Sequence, residues 1–580
     1  MSTNIAAAIA QSRQLELELP ETARHYRVQF LRNYTIEGIE PFLRYALLQL
    51  GLRPHVQFGG YGTFRQDLEQ IASNSQQALD AIVVCWVLEE LDPDVGNPNW
   101  TSDRARTALL SLFDHLDRVS ARAILVQNFI APFVAETSAG GDSIGLGVTA
   151  LNRCISEEID KRALRFSLLD SSQLARQLGE AAALDYRFWY LAKAPYKPAL
   201  LDKMATEITR VARLQCGLAK KVLVLDCDNT LWGGVIGEDG LAGIKLDRHD
   251  YPGNAFLDFQ KSILRLNRRG VILALCSKNN ESDVFDVLDN HASCLLRRTD
   301  ISTYRINWEA KATGIREIAE QLNVGLNSVV FVDDSSHEIG LVSNALPQVT
   351  CLRTPDKHWM LPSLLARSGV FDTDVVTNED LVRTQSYRDE RERESSRADM
   401  VSLDEYLASL QIIAKITTAT PEAIPRIAQL FLKTNQFNLT TRRLVAFEVE
   451  QLMTSESNAI FTMSASDRFG DLGLVGVMIA ERRGTEAGVT DLLLSCRALG
   501  RGLELALASE VIRRLSLEWG ITRWLAYFVP SLKNAQARDF WDRAGFTFEC
   551  EDNMGKKYYL QGEPGAALPI DHVTITGGNQ

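Results

Sequence analysis

The chain is poor in the residues that most often build soft metal sites. Its 580 residues hold eight histidines without metal-binding spacing and nine cysteines without a CxxC pair. Scattered cysteines in odd number exclude a cysteine zinc site and a disulfide scaffold, and they fit a reducing compartment. Long apolar runs are also missing: none approaches the roughly 18–20 residues that span a bilayer. The opening segment has no basic stretch leading into a continuous apolar one. The sequence therefore predicts no signal peptide, no membrane partner and a cytoplasmic location. Positive charge is in deficit, with Lys+Arg 62 against Asp+Glu 74 and a net charge of −12. That balance argues against a nucleic-acid partner held by phosphate neutralisation. Small phosphorylated ligands remain open, because they need only a few local cations.

What is present reads as globular. The chain is 46% hydrophobic and 23% charged, and its length suggests about three or four domains. The first block opens with YRVQFLRNYT (26–35), then carries IVVCWV (82–87) and ARAILVQNF (121–129) between amphipathic stretches. Short apolar runs separated by helical pattern predict a parallel sheet with crossover helices. A second block repeats this more strongly in KVLVLDCDNT (221–230), VILALCSKNN (271–280) and SVVFVDDSS (328–336). Each of these strands ends in polar residues, where open α/β sheets bind their ligands. Residues 371–405 alternate in charge and predict a solvated helical connector. A third block, 406–560, has strands AIFTMSA, LVGVMIAERR and TDLLLSC and a helix after RALGRG, and residues 561–580 read as a tail. The expected fold class is thus α/β in three domains, 1–210, 216–370 and 406–560.

The second block carries the chemistry. Asp226 and Asp228 flank Cys227 at the first strand tip, and Asp333 and Asp334 end the third. Carboxylates gathered this way make a hard oxygen site suited to Mg²⁺. Ser277 and Lys278 end the second strand, and Lys311 follows at NWEAK. A metal with lysines suits a phosphoryl group whose charge is neutralised during transfer. Any one of these tips could be turn chemistry, but all in this order point to phosphate.

The order DxDNT, strand-end Ser, Lys, DD resembles the haloacid-dehalogenase (HAD) phosphatase superfamily. The resemblance implies Asp226 as the phosphoryl-accepting nucleophile and Asp228 as general acid/base. It implies Ser277, with Lys278, Asn279 and Thr230, as phosphate-binding groups and Lys311 as charge stabiliser. Asp226, Asp228, Asp333 and Asp334 would hold Mg²⁺. The longer string LDCDNTLWGGVIGEDG (225–240), with KTNQFNLTTRR (433–443), RFGDLGLVG (468–476) and LSCRALGRGLE (494–504), resembles the FkbH-like proteins of polyketide pathways. That family implies transfer of the glyceryl unit of 1,3-bisphosphoglycerate, with dephosphorylation, to an acyl carrier protein, discrete or within a polyketide synthase. Such transfer needs a thioester-forming thiol; Cys227 is the candidate on sequence and Cys496 the runner-up. The alternative is a phosphatase of a small metabolite joined to a coenzyme A-dependent transferase.

The third block resembles the GNAT acetyltransferase fold through Arg497-Ala-Leu-Gly500-Arg-Gly502, followed by NAQARDFW (534–541) and AGF (544–546). Backbone N–H groups at such a helix start bind a pyrophosphate, and the resemblance implies phosphopantetheine binding by Arg497, Gly500, Gly502 and Asn534. The first block resembles SGNH hydrolases in layout without their chemistry. Asn33-Tyr34-Thr35 stand where the nucleophile belongs, and Asp185 is followed by Phe188 where a histidine belongs. The GDS at Gly141–Ser143 lies far downstream and reads as coincidence. His337, beside Asp333–Ser336, reads as a surface or supporting residue.

Overall fold

Eighteen strands carry the described fold, and the shortest of them do the most to place the site. The computed structural model describes residues 5–73, 78–97, 99–132, 143–372, 377, 393, 402–531, 533–552, 555–561 and 571–577. The chain divides into two compact units, residues 1–216 with 446–448, and 217–445 with 449–580. Among the described residues, no helix is long and apolar enough to cross a membrane.

The first unit is built on a five-stranded sheet of β1 (His25–Arg32), β2 (Arg53–Tyr61), β3 (Leu79–Cys85), β4 (Ala121–Gln127) and β5 (Phe166–Leu169). The order is β2-β1-β3-β4-β5 and every pairing is parallel. Asn33 follows β1 and is buried. Its Nδ2 donates to the carbonyl of Val87 at 3.1 Å and its Oδ1 accepts from the same residue's N–H at 2.8 Å. Asp185 accepts from the N–H of Phe188 at 2.9 Å and caps the helix Tyr186–Ala192. Both positions are occupied with holding backbone. Gly141 and Asp142, with the side chain of Ser143, lie outside the described residues.

In the second unit a parallel sheet is formed by β6 (Val222–Leu225), β7 (Ile272–Ser277), β8 (Ile301–Ile306), β9 (Val329–Asp333) and β10 (Thr350–Arg353). Its order is β10-β9-β6-β7-β8. Both faces are covered, so β6 reads as an unbroken apolar run. Leu223 and Leu225 enter one core, and Val222 and Val224 enter the core on the opposite face.

A mixed sheet follows, with β11 (Ile412–Thr418), β12 (Asn458–Asp467), β13 (Gly470–Arg483), β14 (Glu486–Leu494), β15 (Arg523–Phe528), β16 (Thr547–Asp552), β17 (Gly555–Gln561) and β18 (Val573–Thr576). The order is β16-β17-β15-β14-β13-β12-β11-β18, with β14–β15 and β11–β18 parallel and the rest antiparallel. Residues 573–576, expected as part of a tail, are therefore an edge strand.

The charged connector also departs from expectation at its one described charged residue within 378–401. Arg393 is 1% exposed and grips Asp467 with Nε and Nη2, both at 2.8 Å. Asp467 also accepts from the N–H of Phe469 and of Gly470, which closes the β12–β13 turn. Burial pushes the Asp467 carboxyl up, but the Arg393 bonds outweigh it and hold the group below its usual range. Arg393→Met is expected to cost about 3 kcal/mol or more, because it strands a buried carboxylate. A carboxyl lowered on folding contributes stability above its unfolded pKa and loses it as pH falls through the folded one. The loss in melting temperature should thus be larger at pH 7.5 than at pH 4; an equal loss at both would contradict the ion-pair account.

Candidate functional site

Parallel strands deliver their carboxyl ends to one edge, and β6 lies between β9 and β7 there. The backbone N–H of Asp226 donates to the carbonyl of Val332 at 3.0 Å, so the tip of β6 is tied to the tip of β9. This sets carboxylate oxygens of Asp226, Asp333 and Asp334 within 4.8 Å of one another. Lys311 begins the helix Lys311–Gln321 and its Nζ lies 2.8 Å from Asp226 Oδ1 and 2.6 Å from Asp333 Oδ2. Lys311, Asp226 and Asp333 are all buried.

The electrostatics are those of crowded carboxylates with one cation among them. Burial pushes the Asp226 carboxyl up to about 6, with Lys311 opposing the shift and Asp333 adding to it. Asp334 is raised as well, by burial first and Asp333 next. Lys311 is held protonated: burial opposes its charge, but Asp226 and Asp333 together outweigh that. Three carboxylates against one lysine leave an excess of negative charge in an all-oxygen donor set. Such a set fits Mg²⁺.

The other expected residues sort into two groups. Ser277 is buried at the tip of β7, and Asn279 beside it donates to Asp228 Oδ2 at 2.8 Å. Thr230 is fully buried and its hydroxyl has no hydrogen-bond partner. An unmade bond there costs about 1–3 kcal/mol. Lys278, by contrast, spends its charge on Glu338 at 2.8 Å. Asp228 does not join the carboxylate cluster as a fourth ligand. Its Oδ1 accepts from the Trp232 indole N–H at 2.9 Å and the Ile236 N–H at 3.0 Å, which orients it beside the cluster. His337 is exposed.

Cys227 is corrected by the strand's own period. Side chains alternate faces, and Cys227 follows the parity of Leu223 and Leu225 into a core with Leu231, Trp232 and Phe256. It is fully buried, and burial first, then Asp226, pushes its thiol well above the ordinary range. A thiol so placed is a poor nucleophile. In the native protein Cys227 is expected to resist iodoacetamide over hours, with Cys496 and the exposed Cys550 labelled first. Rapid labelling of Cys227, read by peptide mass spectrometry, would reinstate it.

At the mixed sheet, Arg497 sits in the turn Cys496–Ala498 that follows β14. Gly500 (φ 76°) and Gly502 (φ 72°) then lead into the helix Leu503–Trp519. Positive φ at both positions favours glycine. Asn534 is not free for a ligand: it is fully buried, donates to the carbonyls of Asn438 and Val529 at 3.0 Å, and accepts from the Ser531 N–H at 2.7 Å. It braces a loop. Sequence reasoning missed Trp232 and Glu338; the first stood in plain view four residues after Asp228, whereas the second had no local signal.

Residues 221–362 match the family model of NLI interacting factor-like phosphatases, and they carry a phosphatase-type domain of the HAD kind. No curated protein matches the chain. The N-terminal part of BF1531 from Bacteroides fragilis, which contains a phosphatase domain and was crystallised with Mg, is similar at 22% identity and TM-score 0.56. That match covers 64% of this chain and 99% of that one. The ribosomal-protein-S18-alanine N-acetyltransferase of Escherichia coli matches at 14% identity over 29% of this chain and 98% of its own, with TM-score 0.21. Spermidine N-acetyltransferase of Vibrio cholerae, in complex with CoA and spermine, matches at 13% identity over 26% and 96%, with TM-score 0.21.

Proposed function

We propose that the protein is a Mg²⁺-dependent HAD-type enzyme that removes phosphate from 1,3-bisphosphoglycerate and loads the glyceryl group onto an acyl carrier protein. The observation that carries the phosphoryl half is the grouping of Asp226, Asp333 and Asp334 around Lys311. Asp226, Asp333 and Asp334 would hold the Mg²⁺, which when bound neutralises phosphoryl charge. Asp226 attacks phosphorus and the bond to the leaving oxygen breaks, with Asp228 supplying the proton that oxygen needs. Water then cleaves the aspartyl phosphate, giving up a proton to Asp228 and releasing inorganic phosphate. Ser277 and Thr230 offer hydroxyls to the phosphoryl oxygens.

The glyceryl half rests on the resemblance carried by three separated segments. A thiolate attacks the C1 carbonyl of the acyl phosphate, the carbon–oxygen bond breaks and phosphate departs. The thioester then passes to the carrier's phosphopantetheine thiol. Burial of Cys227 favours Cys496, which is partly exposed, as the enzyme thiol. The same burial also favours a second reading, a phosphatase of a small phosphorylated metabolite with no acyl intermediate. Incubation with 1,3-bisphosphoglycerate generated in situ, Mg²⁺ and a holo-carrier separates them. A glyceryl mass on the carrier, lost in Cys496→Ala while phosphate release persists, supports the proposal. Free phosphate alone supports the second reading, and neither product overturns both.

A further inference from the structure

Strands of an α/β sheet that are covered on both faces read as apolar runs, but β1 and the start of β2 alternate. Tyr26, Val28 and Phe30 enter the core on one side, and Val56 and Phe58 pack against it. The other face carries His25, Arg27 and Gln29 from β1 and Arg53, His55 and Gln57 from β2. On that side the core begins only at Leu31, which joins Leu68, Ile82 and Val84. His25, His55 and Gln57 are exposed, and Arg27, Gln29 and Arg53 are half-buried. The first halves of both strands therefore present a bare polar face to solvent.

The parallel register sets His25 across from Arg53 and Arg27 across from His55. Strands lie about 4.8 Å apart and same-face residues about 6.6 Å apart along each, so the four basic groups form a grid. Across one diagonal the imidazoles stack with centroids 4.7 Å apart, and His25 Nδ1 lies 2.5 Å from His55 Nε2. One proton fits between two ring nitrogens in contact; a second sets like charges against each other. Across the other diagonal, neither guanidinium makes an ion pair among the described residues, and Arg53 donates to the carbonyl of Pro20 at 3.3 Å. Neighbouring charges are already engaged, Arg24 with Asp80, and Arg44 with Glu16 and Glu40. Burial first, then His25, Arg27, Arg44 and Arg53, hold the His55 pKa below its ordinary value, and every charge among them is basic.

In a chain of net charge −12, an open patch of the opposite sign attracts anions. A divalent metal is disfavoured at the histidine pair by the guanidinium groups beside it. A lone phosphate calls for donors that converge in a concavity, whereas these are spread along a strand face. Alternate side chains of an extended segment repeat at the same spacing of about 6.6 Å, so successive carboxylates can meet the basic groups in turn. We propose that this face docks an acidic, extended segment of a protein partner, whose carboxylates pair with Arg27 and Arg53 and are held more tightly as His25 and His55 gain protons. The acidity of the rest of the chain makes the face selective, since a like-charged partner is repelled elsewhere.

The test is fluorescence anisotropy of a fluorescein-labelled hexaglutamate peptide titrated with the full chain at low ionic strength. Saturable binding is expected, about fivefold or more tighter at pH 6 than at pH 8, because imidazoles gain charge over that interval while glutamates keep theirs. Salt at about 0.5 M should weaken it by about tenfold. Arg53→Glu should abolish binding, and Arg27→Gln, as a milder probe, should weaken it at both pH values. His55→Gln should bind like the parent at pH 8 and lose most of the gain at pH 6. Without any variant, hexaglutamate should slow diethylpyrocarbonate modification of His25 and His55, read by peptide mass spectrometry. No saturable binding, undiminished binding by Arg53→Glu, or equal affinity at both pH values overturns the proposal. So does displacement of the peptide by inorganic phosphate at equal charge, which marks a small-anion site, or tighter binding of an oligothymidylate of equal charge, which marks a nucleic-acid site. None of these readings depends on phosphate release or on carrier loading.

Discussion

Asp226→Asn is expected to reduce phosphate release by about 10³-fold or more in kcat, a loss of about 4 kcal/mol of transition-state stabilisation. The amide keeps the shape of the carboxylate but cannot attack phosphorus. The same substitution should leave the folded protein intact. Burial raises the Asp226 carboxyl to about 6, so folding favours its protonated form. A group raised on folding contributes stability that is present at low pH and lost as pH rises through the folded value. The neutral amide escapes that loss, and the metal-free melting temperature at pH 7.5 should not fall. Steady-state phosphate release and a thermal melt in EDTA decide the matter. Turnover within about tenfold of the parent would remove Asp226 from the chemistry.

Lys311→Met is expected to be costly in both respects. Lys311 Nζ sits between two buried carboxylates, at 2.8 Å and 2.6 Å. Removing one member of a buried ion cluster typically costs about 3–5 kcal/mol, because the charges left behind have no partner and no water. Asp226 and Asp333 would then repel across the site, and the Asp226 carboxyl, already raised, would rise further. By the same linkage, the deficit in metal-free stability should be small near pH 5 and grow toward pH 8. A deficit independent of pH would show that the lysine acts by packing alone. Activity should fall with it, since among the described residues no other cation lies between Asp226 and Asp333.

The sequence made the β6–β10 sheet legible because strands buried on both faces appear as apolar runs with polar ends. β6, β7 and β9 announced themselves this way, and their tips named Asp226, Ser277 and Asp333. Mixed patterns hid the rest. ISTYRI of β8 and TCLR of β10 carry too few apolar residues to stand out, and FSLL of β5 is four residues long. Cys227 was misjudged through proximity in sequence: its neighbours carry the chemistry, but the strand's two-residue period sends its side chain to the other face. Type and spacing read Asp228 as a ligand, but the direction of its carboxylate, which lies outside the Asp226–Asp333–Asp334 cluster, depends on how the chain turns after β6. Asn534 matched a motif position, yet its amide is spent on the backbone. The Arg393–Asp467 pair had no local pattern at all; it arises where segments distant in the chain meet.

The last strand has a practical corollary. β18 lies alongside β11 in parallel, pairing Ile412–Lys415 with Val573–Thr576. Trimming the chain back to residue 570 would bare the main-chain donors and acceptors of β11. Ile413, already 48% exposed, stands on that rim. An unprotected rim of this kind recruits other chains, so the shortened protein would tend to self-associate and precipitate even though every group implicated in phosphate chemistry is still in place.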